Sequence, residues 1–142
     1  MSVYKRNRTK SKIDFYDKAE RLNDRILDLT DDARFYSKRQ TFRRAIPIME
    51  LSRTLLVTIC IANENLPQCW NDYLERRRNQ ILAIGYTDAL LRQFQSDCKH
   101  MKTIPGSKKK EISDLAVELK DLLLAWKKSD ESRYTQKFNT KL

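Results

Sequence analysis

Apolar residues recur along the chain with a helical period and divide it into four segments. In the first, Phe15, Ala19, Leu22, Ile26, Leu29 and Ala33 advance by alternating steps of four and three, which stacks them on one helix face. Asp17, Glu20, Arg21, Asp24, Arg25 and Asp28 mostly point away from that face. Asp31 and Asp32 suit a break, since a short acidic side chain competes for the backbone in mid-helix. A second helix is predicted over residues 38–64, with Ser37 as its N-cap and Pro47 either kinking it or marking its true first turn. The stretch Leu55 to Ala62 is the most apolar and should be its most deeply buried turn. At eight residues it is too short to cross a bilayer.

A third helix is predicted over residues 69–102, after Pro67. Leu74, Arg77, Ile81, Ile84, Asp88, Leu91, Gln95 and Cys98 form its seam by steps of three and four, with Tyr73, Phe94 and Met101 on the flanks. The polar members Arg77, Asp88 and Gln95 are expected to face a partner or a central channel. Gly85, inside this helix, is expected to permit close helix approach. Pro105-Gly106 marks a turn. In the fourth helix Ile112, Leu115, Leu119, Leu122 and Trp126 carry the stripe, widened by Ala116 and Leu123. Periodicity is missing from residues 1–12, read as a flexible basic arm, and from 131–142, read as a flexible tail. Residues 13–130 remain as one domain. Four amphipathic stripes are most simply buried in an all-α, up-down-up-down antiparallel four-helix bundle.

Composition narrows the chemistry. Two glycines in 142 residues leave little material for phosphate-cradling loops or many-stranded folds. Cys60, Cys69 and Cys98 are odd in number and form no CxxC pair. They read as reduced, buried thiols of a cytoplasmic protein rather than a disulfide framework or zinc site. The first dozen residues lack the apolar stretch of a secretory signal, and no membrane partner is expected. His100 is the only histidine and stands among lysines, and the run DLTDD lacks the ligand spacing of a calcium loop. No catalytic residue, metal or cofactor is therefore expected. Trp70 and Trp126 read as core anchors.

Charge is the remaining signal. The net charge is +10, unevenly placed. Lys5, Arg6, Arg8, Lys10 and Lys12 crowd the arm, residues 13–33 are acidic, and Arg34, Lys38, Arg39, Arg43, Arg44 and Arg53 turn the balance back. Lys99, Lys102 and Lys108 to Lys110 surround the third connection, and Arg76, Arg77 and Arg78 follow a single acid, Glu75. An up-down-up-down bundle brings residues 38–44 and 99–110 to one end and Arg76 to Arg78 toward the other. Such clusters attract phosphate backbones, and arginine offers the bidentate fork that fits them. Few aromatic residues fall on the expected outer faces, so backbone recognition is favoured over base stacking. The candidate nucleic-acid contacts are Arg39, Arg43, Arg44, Arg76, Arg78, Lys108, Lys109 and Lys110. Arg77 is divided between phosphate contact and subunit interface.

The stretch from Arg76 to Asp130 resembles the accessory variability determinant proteins of diversity-generating retroelements. The matching features are Arg-Arg-x-x-Gln at Arg76 to Gln80, Ala83-Ile84-Gly85-Tyr86 with Asp88, Ile112-Ser113-x-Leu115, and Leu123-Leu124-Ala125-Trp126 with Ser129-Asp130. The first half is similar in outline only. The resemblance implies a non-catalytic four-helix bundle assembled as a pentameric ring with a central channel. It further implies binding of the reverse transcriptase, template RNA and cDNA in mutagenic copying. The architecture is also similar to the bundle proteins of ribosomal-RNA intervening sequences. An oligomeric adaptor that binds protein is the alternative.

Overall fold

The computed structural model describes the backbone of residues 3–142 and the side chains of residues 15–142. Four helices carry the chain: α1 (Val3–Asp31), α2 (Ile46–Glu64), α3 (Trp70–His100) and α4 (Gly106–Lys137), with no strand among the described residues. Each helix packs on the next, and α4 closes the square on α1. Cross-helix pairs fix the directions. Lys18 meets Glu118 and Arg25 meets Glu111 between α1 and α4. Between α3 and α4, Arg77 meets Glu131 and Asp88 meets Lys120. In both sets one number rises as the other falls, so the neighbours are antiparallel. Arg44 ahead of α2 meets Asp97, and Ala62 late in α2 meets Arg76, which makes α2 and α3 antiparallel as well. The predicted up-down-up-down order follows.

The stripes of α1 and α4 lie where periodicity puts them. Phe15, Ala19, Leu22, Ile26 and Leu29 are buried opposite Ile112, Leu115, Ala116, Leu119 and Leu123, although Ala33 is exposed. Trp126 is half-buried and stacks on Phe15 with ring centroids 4.3 Å apart. Trp70 is also half-buried, beside Tyr73.

In α3 the predicted seam is out of phase by one residue. The buried face is Tyr73, Arg76, Gln80, Ala83, Thr87, Leu90, Phe94 and Asp97, whereas Leu74, Ile81 and Gln95 of the expected seam are exposed. The reason is chemical. Four members of the true face are polar, and each finds a partner: Arg76 and Gln80 on Asp130, Thr87 on the Ala83 carbonyl, and Asp97 on Tyr36 and Arg44. A hydrophobic count therefore favours the neighbouring register. Arg77 and Asp88 sit on the flank and pair with Glu131 and Lys120 of α4, so their polarity is satisfied within the chain.

Other boundaries shift too. The start of the second helix is a 3-10 turn, Lys38–Gln40, and a π-helical turn, Thr41–Ala45, before α2 proper. Pro47 lies in the first turn of α2. It lacks the N–H that would bond back to residue 43, and the wider turn ahead accommodates that loss. Ser37 makes no side-chain cap. Leu55, Thr58, Ile59 and Ala62 are buried against neighbours, but Val57 and Ile61 are exposed, so Leu55 to Ala62 has one buried face rather than a buried turn. The whole segment Lys38–Glu64 is long and apolar enough to cross a membrane by length and composition, more than that eight-residue stretch suggests. α4 runs seven residues past the expected start of the tail at 131, because Asp130 and Tyr134 are buried members of its face. α1 opens at Val3, inside the expected basic arm; the arm's cations are among side chains that lie outside the described residues. The three cysteines are free, with Cys69 exposed and Cys60 and Cys98 half-buried, so none is the fully buried thiol expected.

Gly85 does not mediate a close approach: a Cβ built there meets no atom within 4 Å. Its only effect is then the entropic cost of glycine in a helix. Gly85→Ala should raise stability by about 0.8–1 kcal/mol, read as a higher denaturant midpoint with an unchanged slope.

Candidate nucleic-acid interface

One end of the bundle is built by two connections that interlock. After α1, the Asp32 carbonyl accepts the backbone N–H groups of Phe35 and Tyr36, both at 3.0 Å. The Asp32 carboxylate takes the Arg34 guanidinium at 2.7 Å and the Arg34 backbone N–H at 3.0 Å. Those donors, with a smaller contribution from nearby Lys108, hold the Asp32 carboxyl at about 2. The Thr103 hydroxyl donates to the Arg34 carbonyl at 2.9 Å, tying the second connection to the first. Burial raises the Cys98 thiol pKa, and Lys109 is close enough to oppose that shift. The start of α4 thus lies at this end with residues 32–45.

Asp97 locks the arrangement. It is 0% exposed, and it accepts the Tyr36 hydroxyl at 2.6 Å on Oδ2, with Arg44 at 3.0 Å and Gln93 at 2.9 Å on Oδ1. Burial, and then the adjacent carboxylate, push the Tyr36 phenol well above its ordinary pKa, so it stays a donor. Breaking a buried ion pair costs about 3–5 kcal/mol, while a charge-assisted hydrogen bond returns about 1.5–3 kcal/mol. Arg44 therefore stays on Asp97 and is removed from the phosphate contacts.

The remaining cations form the candidate surface. No acid occurs between residues 33 and 49 or between 98 and 110, and these two segments meet here. Arg39, Arg43 and Lys110 are exposed, Lys108 and Lys109 are half-buried, and Lys38, Lys99 and Lys102 add exposed charge. Among the described residues, Arg39, Arg43 and Lys108 to Lys110 enter no ion pair. His100 is exposed and bonds through Nδ1 to the Ser96 carbonyl at 2.9 Å. Periodicity gave no warning of Phe42, which stands between Arg39 and Arg43 and is 83% exposed. The signal was present: continuing the α2 stripe backward from Ile48 through Ala45 lands on Thr41, not Phe42.

The other end holds the arginine triplet, and only one of the three is free. Arg76 is 5% exposed. Its Nε donates to Asp130 at 2.6 Å, its Nη1 to the Asn65 carbonyl at 2.8 Å, and its guanidinium carbon lies 5.1 Å from the Trp126 ring centroid. Gln80 donates to the same Asp130 oxygen at 2.7 Å. Arg76 is therefore a structural residue, corrected from the phosphate contacts because its charge is buried and its donors are occupied. Arg77 is largely covered and bonds Glu131 at 3.2 Å. Arg78 is exposed, at the end opposite the main cluster. Among the described residues, no group of three or more His, Cys, Asp or Glu side chains is gathered to hold a metal.

This sorting of arginines has a measurable consequence. Arg76→Ala leaves Asp130 buried without its cation and should destabilise the fold by about 3–5 kcal/mol, whereas Arg39→Ala should stay within about 0.5 kcal/mol. Chemical denaturation of both variants checks the contrast.

No family model, curated protein or solved structure matches this chain, and its function is argued from its own geometry.

Proposed function

We propose that this chain is a non-catalytic accessory protein of a diversity-generating retroelement, holding template RNA and cDNA and binding the reverse transcriptase during mutagenic copying. The observation that carries the nucleic-acid part is the acid-free basic end, where exposed Arg39 and Arg43 stand with Lys108 to Lys110. Exposed cations without local counter-charges gain from releasing the ions condensed on a phosphate backbone. Arg78 supplies a lesser contact at the other end. The family part draws on a second observation. Arg76, Gln80, Trp126 and Asp130, all quoted for the resemblance, meet in one buried cluster, so the likeness extends to residues that hold the bundle together.

Assembly into a homopentamer belongs to the same proposal. It is supported by exposed Leu74 and Ile81 on α3 and by exposed Val117 and Leu124 on α4. Each pair is one heptad apart, which keeps its members on one side of the helix. A cytoplasmic setting, without membrane or cofactor, completes the reading. The adaptor alternative, including a bundle of the ribosomal-RNA intervening-sequence type, has one observation in its favour. A groove of about 560 Å³ between α1 and α2 is lined by Leu27, Ile46, Met49, Leu56 and Val57, with Glu50 and Arg53 at its rim.

Fluorescence anisotropy with single-stranded RNA tests the proposal. Affinity should fall steeply with salt, and Arg39→Gln with Arg43→Gln should reduce the slope of log K against log salt by roughly 1.4–1.8, at about 0.7–0.9 per lost phosphate contact. A salt-independent affinity would contradict the nucleic-acid reading. Co-purification of the reverse transcriptase with the double variant but no RNA binding by the wild type would favour the adaptor.

A further inference from the structure

Phe42 is the most exposed large apolar residue among the described side chains, at 83%. A ring so placed adds almost nothing to the core, and leaving it in water forgoes the gain of covering it. It does not sit on a loose loop. It lies in the π-helical turn Thr41–Ala45, whose end is fixed by buried Ala45 and by Arg44 on Asp97. The 3-10 turn just before follows Tyr36, also anchored on Asp97. The ring is thus displayed on backbone that is already ordered, and a ligand binding it incurs little further ordering cost.

Its surroundings select the ligand. Arg39 lies three residues before the ring and Arg43 immediately after it, both exposed, and no acid occurs from residue 33 to 49. An apolar pocket on a protein would satisfy the ring but leave both guanidinium groups to be desolvated or matched separately. A nucleic-acid strand offers both partners at once, a π-face on every base and a phosphate on either side. In a duplex the base faces are already stacked on one another, so the strand must be unpaired. We infer that Phe42 is a stacking platform for an unpaired base of single-stranded nucleic acid, with Arg39 and Arg43 holding the flanking phosphates. This rests on the nucleic-acid reading above and specifies its single-stranded form.

The test compares wild type, Phe42→Ala, Phe42→Trp and the Arg39→Gln/Arg43→Gln double variant. Each is titrated against a short labelled oligouridylate and a short RNA duplex at fixed salt. Phe42→Ala should weaken oligouridylate binding roughly 5- to 150-fold, the value of one stacked base, leave its salt slope and the duplex affinity unchanged, and keep the wild-type melting temperature. Phe42→Trp should bind at least as tightly as wild type. Wild-type affinity in Phe42→Ala, beside a weakened double variant, would overturn the stacking inference and leave the basic-surface reading standing. If the double variant also binds like wild type, both fail. Equal losses on single strand and duplex, or a smaller assembly with oligouridylate binding intact, would also overturn it by making Phe42 a general or subunit contact.

Discussion

Two carboxylates buried in the bundle, Asp97 on α3 and Asp130 on α4, impose the requirement that organises the molecule: each must have a cation inside the protein. An unpaired carboxylate in such a setting would cost several kcal/mol or be forced to take up a proton. Asp130 takes Arg76, and Asp97 takes Arg44. Each pair joins elements distant in sequence, and each sits at one end of the bundle. Gln80 joins Arg76 on Asp130, while Tyr36 and Gln93 join Arg44 on Asp97. The aromatic face of Trp126 covers the Arg76 guanidinium. The additional hydrogen bonds matter because Coulomb attraction alone rarely repays the desolvation of both charges.

α3 carries one partner of each pair. Arg76 and Asp97 are 21 residues apart, about 32 Å along a helix, so a single rigid element connects the two locks. The same pairing divides the basic residues into two populations. Arg44 and Arg76 are committed to the interior, Arg34 is held by Asp32, and Arg77 by Glu131. Arg39, Arg43 and the lysines at the start of α4 are left without such partners among the described residues, at an end whose connecting segments contain no acid. The functional surface is thus defined by subtraction. It consists of the cations that the fold does not use, displayed by connections that the Asp97 cluster holds in place.

The architecture was legible because α1 and α4 bury apolar residues at regular spacing, and because Pro67 and Pro105-Gly106 punctuate the chain. What was not legible follows from one cause: hydrophobic periodicity is blind to polar residues that are paired inside. The true face of α3 contains Arg76, Gln80, Thr87 and Asp97, so its phase was read one residue late, and Arg76 was taken for a surface cation. The end of α4 was placed too early for the same reason, since Asp130 looks like a terminus until its partner is known. Charge clustering located the basic end correctly in the chain, but only the geometry separates Arg44 from its neighbour Arg43. Phe42 falls outside the α2 stripe, which a backward extension from Ala45 reveals, though the π-helical turn that displays it is not evident from composition.

The claim that buried carboxylates divide the arginines into structural and binding groups is tested most directly by the arginine Nε–Hε resonances of the intact protein, followed by NMR during titration with single-stranded RNA. In the free protein, Arg44 and Arg76 should exchange slowly with solvent and Arg39 and Arg43 rapidly. On addition of RNA the Arg39 and Arg43 resonances should move, while those of Arg76 and Arg44 stay in place. Movement of Arg76 and Arg44 with Arg39 and Arg43 unperturbed would contradict the account.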